Sequence, residues 1–277
     1  MRRACVIGWP VEHSRSPLIH RYWLKQYGLA GAYEKEAVKP EDLPAFLGSL
    51  KARGYAGANV TLPHKEATLR LAAVTDEAAR TIGAANTLWL DEAGRLNVSN
   101  TDAYGFMTNL NAGAPGWNEG RRPVMVMGAG GAGRAVLHAL LAEGASRILL
   151  TNRTAGRAQE LAAAFGPAVT VVDWRERDRA LLGCGLLVNA TSLGMTDKEA
   201  LDLDLALLPS DAVVADLVYS PLETRLLAAA RGRGNRAVDG LGMLLHQAVP
   251  GFERWFGVRP EVTDDLRAHV AASLGGG

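Results

Sequence analysis

The stretch Pro123–Arg134, PVMVMGAGGAGR, limits the possible folds more than any other part of the chain. Val124–Met127 is a short apolar run that reads as a buried strand. Gly128, Gly130, Gly131 and Gly133 follow at once, and Ala135–Glu143 is then apolar at helical spacing and stops at Gly144. Strand, glycine turn and helix in that order open a βαβ unit, and Gly128-x-Gly130-x-x-Gly133 occupies the place where such a unit binds a dinucleotide. The physical reason is access. Residues without a Cβ let the backbone approach a pyrophosphate, which then faces the N–H groups and positive end of the helix. Tight strand-to-helix turns use glycine for structural reasons too, so the flanking strand and helix carry the argument.

More strands follow, read at Arg147–Thr151, Val169–Trp174, Leu186–Ala190, Val213–Leu217 and Ala237–Asp239, each ending in polar or glycine residues. In open α/β sheets ligands bind beyond the carboxyl ends of the strands, so these residues converge on one edge. An NAD-binding unit places an acidic residue at the end of its second strand. Here Asn152-Arg153-Thr154 stands there, with Arg157 close behind. A guanidinium suits a 2′-phosphate and no carboxylate repels it, which points to NADP. A solvated Arg153 beside Thr154 as helix cap is the plainer alternative and is compatible with that reading.

The front of the chain carries its own pattern. Ala4–Gly8 is a strand that runs into His13-Ser14-Arg15-Ser16-Pro17 and a helix to Gly28. Ser14 and Ser16 can face one ligand, such as a carboxylate, or Ser16 can simply cap the helix. Tyr33–Val38 is the next strand, Glu41–Gly54 a helix, and Tyr55–Thr61 a strand ending in Asn59-Val60-Thr61-Leu62-Pro63-His64-Lys65. Lys65 is either a solvated first-turn residue or, with Asn59 and Thr61, part of a ligand-facing turn; His64 reads as an exposed turn residue without a role. Asn86 starts a further strand. Asp102 opens a helix, as an N-cap in its plainest reading. Gly242–Phe256 is one amphipathic segment that returns to the front half.

The 277 residues suffice for two domains, and a net charge of +1 argues against a dedicated nucleic-acid or membrane-surface protein. Cys5 and Cys184 lie in apolar stretches without CxxC company and read as core residues, and no metal site is expected. There is no signal-peptide pattern and no bilayer-length apolar run, so a cytoplasmic location is the expectation.

The ordered motifs resemble the shikimate dehydrogenase family. They are His13-Ser14-Arg15-Ser16-Pro17, Asn59–Lys65, Gly83-Ala84-Ala85-Asn86-Thr87, Asn100-Thr101-Asp102, the glycine turn, Asn152-Arg153-Thr154, Asn189-Ala190-Thr191-Ser192-x-Gly194-Met195, Asp216-x-x-Tyr219 and Gly240-x-x-Met243-Leu244-x-x-Gln247-Ala248. The resemblance covers the chain from Gly8 to about Phe256. Leu62 and Ala85 depart from the common pattern without touching a polar role.

The resemblance implies NADP-dependent, reversible reduction of 3-dehydroshikimate to shikimate, on the way to chorismate and aromatic amino acids. It makes Lys65 and Asp102 the catalytic pair. Ser14 and Ser16 would hold the substrate carboxylate; Thr61, Lys65, Asn86, Asp102 and Gln247 would surround the ring hydroxyls; Tyr219 would add to the wall. Gly128, Ala129, Gly130, Gly131, Ala132, Asn152, Arg153, Thr154, Arg157, Leu217 and Gly240 would contact NADP, with Glu77 on the cofactor side. The expected partner is a small-molecule substrate, in a monomer or homodimer. The expected fold is α/β: a Rossmann-like doubly wound nucleotide domain, 103–236, inserted in an α/β substrate domain, 1–102 and 237–277, with the site in the gap between domains and closure on binding. Two rivals stand beside it. An NAD-using quinate/shikimate dehydrogenase is opposed by Arg153, and a non-catalytic shikimate-binding sensor is opposed by Lys65 and Asp102.

Overall fold

The computed structural model describes residues 1–274; residues 275–277, the end of the expected 237–277 stretch, lie outside the described residues. The first part of the chain runs β1 (Arg2–Gly8), α1 (Ser16–Gln26), β2 (Gly31–Ala37), α2 (Leu43–Ser49), β3 (Tyr55–Val60), α3 (Lys65–Leu71), β4 (Val74–Thr75), α4 (Glu77–Ile82), β5 (Thr87–Leu90) and β6 (Leu96–Ser99). The helix expected over 41–54 is shorter: a 3₁₀ turn occupies Pro40–Asp42, α2 starts at Leu43 with Pro44 in its first turn, and it ends at Ser49.

These strands form one sheet in the order β2-β1-β3-β5-β6-β4. β1 is parallel to β2 and β3, while β5 is antiparallel to both β3 and β6. The carboxyl ends of β1, β3 and β6 and the amino end of β5 therefore share one edge. β1 is buried over Ala4–Gly8, which explains its unbroken apolar run. One core holds Ile7, Val38, Leu43, Phe46, Leu50, Val60 and Leu88. A second group of rings gathers His20, Trp23, Tyr33, Phe252 and Trp255.

His20 is fully buried in that group, its ring 4.0 Å from the Tyr33 ring and nearly parallel to it. Burial drives its pKa down from 6.5 to about 3, with the Asn59 hydrogen bond pulling the other way. The folded chain thus leaves His20 neutral where the unfolded chain protonates it. Stability falls as the pH drops through 6.5, at roughly 1.4 kcal/mol per unit. Urea unfolding at pH 7 and pH 5 is expected to show His20→Gln losing about 2 kcal/mol less than the parent on acidification. An equal loss in both proteins would refute the assignment.

The second part runs α5 (Asp102–Gly113), β7 (Val124–Met127), α6 (Gly131–Ala142), β8 (Ile148–Thr151), α7 (Ala155–Phe165), β9 (Val169–Val171), β10 (Leu186–Asn189), β11 (Val213–Asp216), α8 (Arg225–Gly232), β12 (Arg236–Val238) and α9 (Leu241–His246); α10 (Val249–Phe256) and α11 (Asp264–Ala272) follow. Its sheet has the order β12-β11-β10-β7-β8-β9 with every pair parallel. The winding direction reverses between β7 and β10, as in a Rossmann-like doubly wound sheet. Met125, Met127, Leu187, Val214 and Leu227 lie in its core. Cys5 and Cys184 are fully buried, and burial pushes both thiols up, Cys184 to about 11.

The chain divides into two compact units, Met1–Thr101 with Gln247–Val270, and Asp102–His246 with the residues from Ala271. The return to the first unit comes at Gln247, later than residue 237. β12 extends the second sheet through β11, and α9 packs on α5, where a Cβ on Gly242 would collide with Asn109. The segment expected as one helix over 242–256 is two. Pro250 has no N–H for the His246 carbonyl, which is where α9 stops and α10 takes over. α10 then seats on the first sheet: Trp255 Nε1 donates to Leu88 O at 3.0 Å across Gly57, where a side chain would strike the indole.

Candidate active site

In the first unit the polar edge is assembled by backbone bonds between strand ends. Thr61 N donates to Ile7 O (2.9 Å), Val60 N to Asn86 O (2.7 Å), Asn86 N to Ser99 O (3.0 Å) and Ala85 N to Lys65 O (3.0 Å). The loops after β1, β3 and β6 and the one before β5 are thereby fixed side by side. Ser14, Ser16, Thr61, Lys65 and Asn86 all sit on them.

Ser16 is not a helix cap. It is the first residue of α1, is buried, and its N–H donates to Ser14 Oγ at 3.3 Å. The local capping partner is Ser14, whose own O–H stays available as a donor. Asp102 is likewise no N-cap but the first residue of α5, half-buried. His64, expected to be exposed, is 1% exposed, and its Nε2–H donates to Val38 O at 2.7 Å. That bond anchors the turn from which Lys65, the first residue of α3, emerges half-buried.

Asn86 is buried and organises the edge. Its Oδ1 accepts from Thr101 N at 2.8 Å, and its Nδ2 donates to Thr101 Oγ1 at 3.0 Å and to Gln247 Oε1 at 3.4 Å. Thr101 Oγ1 donates to Gln247 O at 2.8 Å. The break between α9 and α10 thus brings Gln247 to the same edge as Asn86. Glu77 is exposed in the first turn of α4, where a carboxylate suits the helix dipole.

In the second unit the glycine turn lies at the switch point. Gly128 has φ +111°, and a Cβ there would press on the Ala190 backbone at 2.8 Å. A Cβ on Gly133 would collide with Gly128 O. Gly130 and Gly131 differ: a Cβ on either would meet nothing within 4 Å among the described residues. Two glycines therefore let strand, turn and helix close up, and two leave open space over the start of α6, next to Ala129 and Ala132. Asn152 Oδ1 accepts from Ala129 N at 3.1 Å and its Nδ2 donates to Thr154 O at 2.9 Å, so this amide ties the β8 loop to the glycine turn. Thr154 holds the cap position of α7 without a side-chain cap bond, and Arg153 and Arg157 are exposed beside it.

Asp216 has a part that its motif alone did not reveal. Buried at the end of β11, it accepts from Asn189 Nδ2 (2.9 Å), Val218 N (3.0 Å) and Thr224 Oγ1 (2.7 Å). Burial raises its pKa, and those three donors oppose the rise. It braces the loops that carry Leu217 and Tyr219. A Cβ on Gly240 would collide with Leu217 O, so the loops after β11 and β12 touch backbone to backbone.

Three family models match: a shikimate dehydrogenase substrate binding domain over residues 6–88, shikimate / quinate 5-dehydrogenase over 117–196, and a shikimate 5′-dehydrogenase C-terminal domain over 240–268. A shikimate dehydrogenase (NADP(+)) of Rhodopseudomonas palustris (strain HaA2) is 59% identical, covering 98% of this chain and 96% of its own. The chain belongs to the shikimate dehydrogenase family.

Another family member, shikimate dehydrogenase (NADP(+)) of Paramagnetospirillum magneticum, is 58% identical over 97% of this chain and 98% of its own. Among solved structures, shikimate 5-dehydrogenase from Thermus thermophilus in complex with NADP(H) and shikimate superposes with a TM-score of 0.88 at 39% identity, covering 99% and 100% of the two chains. Quinate dehydrogenase from Corynebacterium glutamicum in complex with NAD gives 0.91 at 33% identity, covering 98% of each. The two-domain α/β fold with a Rossmann-like part is that of the family. No helix among the described residues is long and apolar enough to cross a membrane.

Proposed function

We propose that the protein catalyses the reversible, NADP-dependent reduction of 3-dehydroshikimate to shikimate, a step toward chorismate and aromatic amino acids, with Lys65 and Asp102 as the catalytic pair. The reading is carried by the first unit's polar edge, where Ser14, Ser16, Thr61, Lys65, Asn86 and Gln247 are held together in a shikimate dehydrogenase chain. NADP is the cofactor.

The substrate is a carboxylate-bearing ring with several hydroxyls and one reacting carbon. Ser14 and Ser16 offer neutral O–H donors for the carboxylate. Thr61, Asn86 and Gln247 supply donors and acceptors for the ring hydroxyls, and Tyr219 adds to the wall. Lys65 holds a positive charge beside the carbonyl oxygen, stabilises the negative charge that grows there, and gives that oxygen its proton. Asp102 follows directly after Thr101, itself anchored on Asn86 and Gln247, and orients the ammonium and a substrate hydroxyl.

The second unit fits a dinucleotide. Gly130 and Gly131 leave space for a pyrophosphate over the N–H groups of α6, and Arg153 and Arg157 stand exposed for a 2′-phosphate with Thr154 between them. Gly128, Ala129, Ala132, Asn152, Leu217 and Gly240 shape the rest of that surface, and Glu77 is assigned to the cofactor side. When bound, NADPH supplies the hydride for the carbonyl carbon.

Turnover of shikimate and quinate with NADP and NAD tests the proposal: shikimate with NADP is expected to be the fastest pair. The likeness to an NAD-bound quinate dehydrogenase keeps a second reading in view, and Arg153 speaks against it. Arg153→Asp is expected to weaken NADP roughly a hundredfold by removing a charge-assisted contact and adding repulsion, with NAD changed by less than about threefold. Equal loss for both cofactors would overturn the 2′-phosphate assignment.

A further inference from the structure

A chain of buried polar groups runs from the rings of the first unit to its polar edge. His20 Nε2 lies 3.2 Å from Asn59 Oδ1, and Tyr33 Oη lies 2.6 Å from the same oxygen. An amide oxygen only accepts, so both groups donate to it and both its lone pairs are used. His20 Nδ1 has no hydrogen-bond partner among the described residues, which leaves the ring proton on Nε2. Asn59 Nδ2 in turn donates to Thr87 Oγ1 (3.3 Å) and to the Asn86 carbonyl (3.4 Å). Flipping this amide would set oxygen against a carbonyl and N–H against two donors, so one orientation is satisfied.

The direction is handed on. Having accepted from Asn59, Thr87 Oγ1 donates to Asn86 Oδ1 at 3.0 Å. That turns Asn86 Nδ2 toward Thr101 Oγ1 and Gln247 Oε1. Thr101 Oγ1 donates its own O–H to Gln247 O. His20, Tyr33, Asn59, Asn86, Thr87 and Thr101 are each at most 5% exposed, so water does not compete for these bonds and each link constrains the next.

We propose that His20 and Tyr33 are positioning residues which, through Asn59, decide how the amide of Asn86, and with it Gln247, faces the substrate. The proposal rests on the assignment of those two side chains to the substrate. Neither His20 nor Tyr33 touches the reacting atoms in this scheme. They supply the donors that leave Asn59, and hence Asn86, a single orientation. Without them the ring hydroxyls meet side chains that must be ordered anew at each binding event.

Three full-length variants separate this role from packing. His20→Phe keeps a ring against Tyr33 and removes the donor. Tyr33→Phe removes one oxygen atom. His20→Gln restores an N–H near the Nε2 position. Both phenylalanine variants are expected to raise the KM for shikimate about tenfold, with kcat within about threefold and the KM for NADP unchanged, and His20→Gln to return the KM to within about threefold of the parent. In 15N-asparagine-labelled protein, the Asn59 and Asn86 side-chain amide signals are expected to shift and broaden in the phenylalanine variants and to stay sharp in His20→Gln. Phenylalanine variants with the parent's KM for shikimate and unmoved Asn86 signals would overturn the proposal, as would an equal rise in both KM values. If the parent itself fails to turn over shikimate, the substrate reading falls, while the Asn86 amide signals still decide the relay. If His20→Phe does not fold, Tyr33→Phe carries the test alone.

Discussion

Lys65→Ala is expected to lower kcat for shikimate oxidation by about 10²–10⁴-fold, with the KM for shikimate moving less than about tenfold. The split follows from when the interaction matters. A neutral carbonyl or hydroxyl gains little from an ammonium, whereas an oxygen carrying developing charge gains much, so the loss falls on the transition state. The surroundings support the placement. The Lys65 carbonyl accepts from Ala85 N, one residue before Asn86, and the preceding His64 is bonded into the core at Val38. Alanine keeps the backbone and removes only the charge and proton. Lys65→Arg divides those two contributions, because a guanidinium keeps its charge but does not surrender a proton. Recovery of most of the lost rate in Lys65→Arg would assign the effect to charge, and no recovery would assign it to proton transfer. A Lys65→Ala enzyme that retained more than about a tenth of the parent's kcat would remove Lys65 from the chemistry.

The second large effect concerns the glycine turn, where neighbouring positions are expected to respond differently. Gly128→Ala forces a side chain into φ +111° and onto the Ala190 backbone at 2.8 Å. Left-handed strain and the collision together are expected to destabilise the second unit by about 2–4 kcal/mol. NADP affinity is expected to drop more than about tenfold as β7 and β10 spread. Gly130→Ala meets no atom within 4 Å and has φ −93°, so the protein is expected to unfold in urea as the parent does. Its methyl group nevertheless occupies the space over the α6 N-terminus, and NADP affinity is expected to fall about tenfold or more. Unchanged NADP affinity in Gly130→Ala would show that the pyrophosphate lies elsewhere, whatever Gly128→Ala does to stability.

Much of this arrangement is legible in the residues. The glycine turn, the apolar runs that end in polar residues and the Arg153 loop are local signals, each spanning a few positions. The doubly wound character of the second unit follows once such units repeat. The features the sequence hid are non-local. His64 looks like a turn residue because nothing near it in the chain announces the Val38 carbonyl that buries it. Ser16 looks like a cap because a serine before proline often is one, yet the helix begins a residue earlier than such a cap requires. The segment 242–256 has one amphipathic pattern but two helices, since Pro250 cuts it, α9 packs on α5 and α10 on the first sheet. Asp216 and Asn59 gave no hint of their several partners.

The amino-acid pattern alone determined the strands of the second unit, the edge of that sheet on which its polar and glycine residues converge, and the family to which the motifs belong, because those depend on periodicity and on backbone freedom at single residues; the short β4 of the first unit had no such signal. Tertiary structure alone decided how the polar side chains are aimed. A hydroxyl or amide has several satisfiable orientations in an isolated loop. Only when β1, β3, β5, β6 and the loop at Gln247 are brought side by side, and water is excluded from His20 to Thr101, does one pattern of donors and acceptors remain.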